Sequence, residues 1–248
     1  MSHTSVTPDL ASQAQALDAS FGALDLTGRL EKLRQDVAGR LVFTTSFGLE
    51  DQVIAHHIFE GGLDIDVVTL DTGRLFPETY KLWSDTEAKY ARRIRAFYPA
   101  TSDVEELVAD QGIDGFYFSV EMRKACCNVR KVKPLARALD GASAWITGLR
   151  GDASEHRQHL DFVSFDGARN LIKANPLFDW SRERTLAYAK AHAIPINPLH
   201  DKGFLSIGCA PCTRAIAPGE PERAGRWWWE SENQKECGLH VGAASASS

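Results

Sequence analysis

Leu41-Val42-Phe43-Thr44-Thr45 runs directly into Ser46-Phe47-Gly48-Leu49-Glu50-Asp51: an apolar, β-branched run, then a hydroxyl-rich turn, then the start of a longer amphipathic stretch. The first five residues read as a buried strand and Asp51 to Phe59 as the helix after it. The alternation repeats. Asp66 to Leu70 (DVVTL) reads as a second strand, and a helix opens at Pro77, where proline suits the first helical position, and runs to about Arg93. A helical stretch from Val120 to Leu139 precedes a third buried strand, Ala144 to Thr147 (AWIT). Strands alternating with helices of this length predict an α/β fold, a parallel sheet covered on both faces. In such sheets ligands bind beyond the carboxyl ends of the strands.

The flanks are less structured by this reading. Residues 1–20, rich in Ser, Thr, Ala and Gln, are expected to form a loose tail, and 242–248, only Gly, Ala and Ser, a disordered end. Residues 21–205 would be the α/β domain carrying Cys126 and Cys127, and 206–241 a C-terminal segment with Cys209, Cys212 and Cys237. The 248 residues carry a net charge of −5, which disfavours a nucleic-acid partner while leaving a small anionic ligand open. No apolar run is long enough to span a membrane. Arg29 is the first Lys or Arg, so neither a secretory signal nor an Arg-rich transit peptide is read, and a cytoplasmic protein is expected.

Three strand ends carry polar turns. The turn around Ser46 and Gly48 opens a helix whose first N–H groups could hold an anion, although hydroxyls cap helices everywhere. Asp71-Thr72-Gly73-Arg74 places a carboxylate, a glycine and a base at the same edge, which an ordinary capped turn would also do. Gly148 to Arg157 is a polar loop whose two arginines suit phosphate or sulfate.

The five cysteines are more specific. A chain of this length needs no disulfide staples, and in a reducing compartment clustered thiols are more often metal ligands or catalytic groups. Cys126 and Cys127 are neighbours in a helical segment, while Cys209 and Cys212 form a C-A-P-C pair. Neighbours on a helix point about 100° apart, awkward for one tetrahedral zinc but suited to a cluster that offers separate irons. Cys237 stands apart in Glu236-Cys237-Gly238-Leu239-His240. Flanking glycine and nearby polar residues suit a reactive thiol, and Arg223, Arg226 and His240 are close enough in sequence to favour its thiolate.

Together, Cys126-Cys127 with Asn128 to Lys131 and Pro134, Cys209-Ala210-Pro211-Cys212, Leu70 to Gly73 and the terminal Glu236 to His240 resemble the assimilatory sulfonucleotide reductases. The resemblance spans about Leu41 to His240 and lies nearest the thioredoxin-dependent adenylyl-sulfate (APS) reductases. It implies the adenine nucleotide alpha-hydrolase-like (PP-loop) fold with a C-terminal catalytic tail. It also implies one 4Fe-4S cluster on Cys126, Cys127, Cys209 and Cys212, and Cys237 as nucleophile. Lys131 would sit between cluster and sulfate. Arg157, Arg223, Arg226 and His240 would hold sulfate and phosphate, His240 beside the reacting thiol. Ser46 and Gly48 would form a degenerate PP-loop, departing from S-G-G-x-D-S at Phe47 and Leu49, with Asp71, Thr72 and Gly73 at the nucleotide.

The implied chemistry is attack by Cys237 on the sulfur of APS, expelling AMP, then release of sulfite by thioredoxin or a glutaredoxin-like reductant. The chain is expected to carry no redox domain of its own. Arg226-Trp227-Trp228-Trp229 reads better as an anchor for the C-terminal segment than as a base-stacking platform. PAPS reduction, a tRNA-thiolating adenylase and a zinc-stabilised nucleotide-binding module remain as alternatives, and the oligomeric state is open, a homo-oligomer included.

Overall fold

The computed structural model describes residues 9–153 and 160–231. Two helices, α1 (Leu10–Phe21) and α2 (Leu26–Asp36), precede an alternating series: β1 (Arg40–Thr45), α3 (Leu49–Glu60), β2 (Asp66–Leu70), α4 (Pro77–Tyr90), β3 (Arg95–Phe97) and α5 (Thr101–Gln111). A helical run follows as α6 (Val120–Cys127), a π turn (Asn128–Val132) and α7 (Lys133–Ala138). The remaining elements are β4 (Ala142–Ile146), β5 (Val163–Asp166), β6 (Leu171–Ala174) and α8 (Arg182–Ala191).

The strands form one sheet in the order β3-β2-β1-β4-β6-β5. From β3 to β6 all neighbours are parallel, with Thr44 opposite Val68 and Phe43 opposite Ile146. The expectation of a parallel sheet is corrected at one edge, where β5 runs antiparallel to β6. The short turn 167–170 between them cannot make the long crossover that a parallel pair needs.

Alternation along the strands explains the two covered faces. Leu41 and Phe43 of β1, with Ala144 and Ile146 of β4, face a core shared with α1, α2 and α3; Val42 and Trp145 face the other, closed by Leu135 and Ala138 of α7. The β-branched run at Leu41 is therefore continuous because both of its faces are buried.

The expected loose tail is corrected from Leu10 onward. Asp9 caps α1 by accepting from Ser12 N at 3.0 Å, and Ala14, Leu17 and Phe21 recur at helical spacing on the buried side. Asp18 accepts from Val163 N at 2.9 Å, fastening α1 to the antiparallel edge of the sheet. A composition rich in Ser, Gln and Ala conceals this stripe because it needs only three apolar contacts. Leu17→Ala is expected to cost about 2–5 kcal/mol in urea unfolding; a loose tail would show no loss.

Candidate active site

The carboxyl ends of β1, β2 and β4 open into a cleft of about 230 Å³. Ser46 and Gly48 line it after β1, Thr72 after β2 and Gly148 after β4; Lys131, Arg223 and Arg226 supply positive charge. Ser46, Gly48, Thr72, Lys131, Cys209, Arg223 and Arg226, all singled out in the sequence, thus meet in one cavity.

The turn after β1 is organised around Asp51. Ser46 donates to Asp51 Oδ2 from its backbone N at 2.6 Å and its hydroxyl at 2.7 Å. Gly148 approaches Asp51 Oδ1 so closely that any Cβ would overlap it, so the loops after β1 and β4 interlock. Burial pushes the Asp51 carboxyl up to about 6, against the opposing effect of the Ser46 bonds. Gly48 caps α3 without a side chain, which leaves the helix N-terminus open toward the cleft for an anion. Phe47 occupies the left-handed region at φ 59° and turns into the core, stacked on Trp83 at 5.6 Å. The departure from the PP-loop pattern at this position therefore serves packing, while Leu49 does line the cleft.

After β2 the three expected residues divide. Thr72 lines the cleft, but Asp71 and Gly73 do not; they brace the turn itself. Asp71 Oδ1 accepts from Gly73 N and from the Tyr80 hydroxyl, both at 2.8 Å. Thr72 is held from behind, its carbonyl accepting from Arg130 Nη1 at 2.7 Å and its hydroxyl lying 3.3 Å from Cys209 Sγ.

That contact leads to the cysteines. Cys126, Cys127, Cys209 and Cys212 all line a second, small cavity of about 20 Å³ with Arg74, Arg123, Arg130 and Lys131. The helix expected over Val120 to Leu139 is interrupted by the π turn just after Cys127, and Arg130 and Lys131 lie within that turn. Burial raises the Cys126 thiol, and it pushes the Cys212 thiol up to about 12, with Cys209 adding to both. Arg130 and Arg74 oppose the shift at Cys126; Lys131 and Arg226 oppose it at Cys212. Two buried and two half-buried thiols among basic side chains suit a group that takes thiolate ligands and carries net negative charge. Among the described residues no three His, Cys, Asp or Glu converge as a single-ion site. Lys131, Cys209 and Trp227 line both cavities, so the thiols and the cleft share a wall.

The segment carrying Cys209, Cys212, Arg223 and Arg226 is held by two buried guanidiniums. Arg150, only 1% exposed, donates to Glu50 Oε1 at 2.6 Å and to both oxygens of Glu222 at 2.9 and 2.7 Å, and also contacts Asp152. It is therefore a clamp rather than the anion ligand its loop suggested. Arg123 donates to both Glu230 oxygens at 2.9 and 2.7 Å, with side-chain exposures of 0% and 3%. Trp227 is buried beside Cys127 and Cys212, between the guanidiniums of Arg123 at 4.7 Å and Arg226 at 4.8 Å from its ring. The anchoring expected of the tryptophans thus falls to Trp227. Arg226 lies against Gly208, where no side chain would fit, and its Nη1 donates to Ile207 O at 3.4 Å.

Cys237, His240 and Arg157 lie outside the described residues. Residues not read from the sequence include Glu50, Glu222 and Glu230, whose partners lie far away in the chain, and His200. His200 lines the cleft with Nδ1 2.8 Å from Phe204 O, and burial lowers its imidazole below the usual range. A lone histidine in Leu199-His200-Asp201 gives no signal of this.

Residues 40–215 match the phosphoadenosine phosphosulfate reductase domain family. The chain is 56% identical over 241 residues to an adenosine 5′-phosphosulfate reductase of Sinorhizobium fredii, covering 97% of this chain and 96% of that one. It is 44% identical to the Burkholderia cepacia protein of the same name, covering 96% and 91%. Among solved structures, a phosphoadenylyl-sulfate reductase from Candida auris superposes with a TM-score of 0.69 at 27% identity, covering 82% of this chain and 96% of that one.

The buried Asp51 makes stability depend on pH. Its folded pKa of about 6 exceeds the ordinary value of 3.8, so the folded chain keeps a proton that the unfolded chain has released. Stability is full below the lower value and is lost as pH rises through the upper one. Asp51→Asn should lose less stability than the parent between about pH 4 and 6 in urea titrations, the window set by those two values. Equal losses would show that Asp51 ionises freely.

Proposed function

This chain belongs to the phosphoadenosine phosphosulfate reductase domain family, and from that premise we propose that it reduces adenylyl sulfate to sulfite and AMP for assimilatory sulfate reduction and cysteine biosynthesis. The observation that carries this reading is the wall shared by the strand-end cleft and the four-thiol cavity, built from Lys131, Cys209 and Trp227. Its relatives over nearly the whole length are named adenosine 5′-phosphosulfate reductases. The cleft also carries Glu50, Asp51 and Glu222. The name those relatives share, rather than these paired or protonated carboxyl groups, favours a substrate without the additional 3′-phosphate of PAPS.

Cys126, Cys127, Cys209 and Cys212 would hold one 4Fe-4S cluster. Cys126 and Cys127, adjacent on one helix and so pointing about 100° apart, favour this over zinc, since a cluster gives each thiolate its own iron. When bound, the cluster supplies an electrostatic and structural influence on the adjoining cleft, because thiols provide the electrons. The chain's residues do the rest. The α3 N-terminus and Ser46 receive the phosphosulfate, while Lys131, Arg223 and Arg226, with Arg157, offset the repulsion between substrate and thiolate. The Cys237 thiolate forms a bond to the substrate sulfur as the sulfur–oxygen bond breaks, and AMP leaves with the electron pair. His240 favours the reactive thiolate. A thiolate of a dithiol protein, thioredoxin or a similar carrier, then attacks the Cys237 sulfur. Sulfite leaves with that bond's electron pair, and the carrier's second thiol resolves the mixed disulfide. Both electrons that convert the sulfate group to sulfite come from the dithiol. These steps suit the reducing cytoplasm.

Cys237→Ser should abolish the S-sulfocysteine adduct seen by intact-protein mass spectrometry after incubation with adenylyl sulfate, while iron and sulfide content stay at the parent level. Retained turnover would refute the nucleophile. Lys131→Ala should lower kcat/KM for adenylyl sulfate by about 10²-fold, the scale of losing one electrostatic contact to a reacting group. An unchanged value would remove Lys131 from the reaction.

A further inference from the structure

Outside the cleft, large apolar side chains reach solvent together at one place. Phe118 is 77% exposed and Ile113 62%, with Tyr117 at 38% and Trp228 at 39%. Tyr117 and Trp228 are joined through their rings, Phe118 follows Tyr117 directly in the chain, and Ile113 lies four residues before Tyr117. The Tyr117 ring lies 6.4 Å from Trp228 and 4.5 Å from Trp229, and Trp228 meets Trp229 edge-on at 4.8 Å. The patch is also held rigidly to the thiol cavity. The Tyr117 hydroxyl donates to Pro211 O at 2.6 Å, inside the C-A-P-C pair, and Arg74, stacked on Phe116 at 5.0 Å, donates to Ile113 O at 2.5 Å. Exposed aromatic clusters on a rigid base are typical of protein-binding surfaces.

Resting on the reaction proposed above, we infer that Ile113, Tyr117, Phe118 and Trp228 form the docking surface for the dithiol protein reductant. Chain length argues for this occupant. Sulfite release requires a sulfur of the carrier to touch the sulfur of Cys237, six residues beyond Ser231. Six residues span at most about 22 Å, and Trp228, three residues before Ser231, is at most about 11 Å from it. A partner covering about 800 Å² of this chain while reaching Cys237 must land around that exit point. The apolar patch lies there, with an aromatic pair suited to the centre of such an interface. Trp228, the second tryptophan of the run, thereby acquires a role that neither the core nor the cleft gives it.

The test uses the full-length, cluster-loaded protein with Phe118→Glu and, separately, Ile113→Glu, both highly exposed positions. Three quantities are read: adduct formation at Cys237 in a single turnover with adenylyl sulfate, sulfite release driven by dithiothreitol, and sulfite release driven by thioredoxin. The expected result is a rise of about tenfold or more in the KM for thioredoxin, the scale of losing one interface anchor. The other two rates stay at the parent level, and Phe118→Leu restores the thioredoxin KM. An unchanged thioredoxin KM overturns the surface, as does a parallel fall in all three quantities. A change of solution molar mass without a change in that KM would assign the patch to a second copy of the chain instead. Failure of the parent protein to form any adduct would overturn the reaction itself, and the docking surface with it.

Discussion

Two guanidiniums taken out of water hold this architecture together. Arg150 and Arg123 are almost wholly buried, and each is met by the two oxygens of a carboxylate from the C-terminal segment, Glu222 and Glu230. An isolated buried charge would cost several kcal/mol, so each pair is stable only when complete, Arg123 meeting Glu230 fork-on-fork and Arg150 reaching both Glu222 oxygens through Nη2. Glu50 completes the set at Arg150 and links it to the first turn of α3. The loops after β1 and β4 and the C-terminal segment are therefore coupled through one side chain. The cleft exists because those three pieces meet.

The second constraint is the balance of charge around the thiols. Burial disfavours a bare thiolate at Cys126 and Cys212, and the basic side chains around them act in the opposite direction. An anionic group bound through the four sulfurs would satisfy both sides. The same positive charges also face the cleft: Lys131 and Arg226 lie on its wall. The cleft wall nevertheless includes Glu50, Asp51 and Glu222, with Glu50 and Glu222 committed to Arg150. An acidic protein thus presents a local field suited to an anion, since Arg150 pairs Glu50 and Glu222 while Lys131, Arg223 and Arg226 line the same cleft.

Much of the fold was legible from β1, β2 and β4, whose apolar runs are bounded by turn residues and buried on both faces. The first helix and the antiparallel edge were not. Three buried positions in a stretch rich in Ser, Gln and Ala leave little period to detect, and strand direction depends on a turn whose length matters more than its composition. At the site, the four thiols were legible because their pairing is local in the chain. Asp71 and Gly73 brace their turn without lining the cleft, a placement hidden in the sequence because turn capping and ligand binding call for the same residues. Arg150 was misjudged because an arginine in a polar loop looks free until Glu50 and Glu222 are placed around it.

The sequence by itself determined the layered α/β order, the division of four cysteines from the fifth, and the family to which those motifs point. Each of these depends on neighbours within a few residues, or on the spacing of one motif. Only the tertiary structure decided that Lys131 and Cys209 belong to two cavities at once, that Arg150 and Arg123 are clamps, and that Trp227 is core while Trp228 faces solvent. Those outcomes depend on which distant carboxylates and rings fill the space around each side chain. Burial and pairing across the fold are not properties of any local stretch of chain.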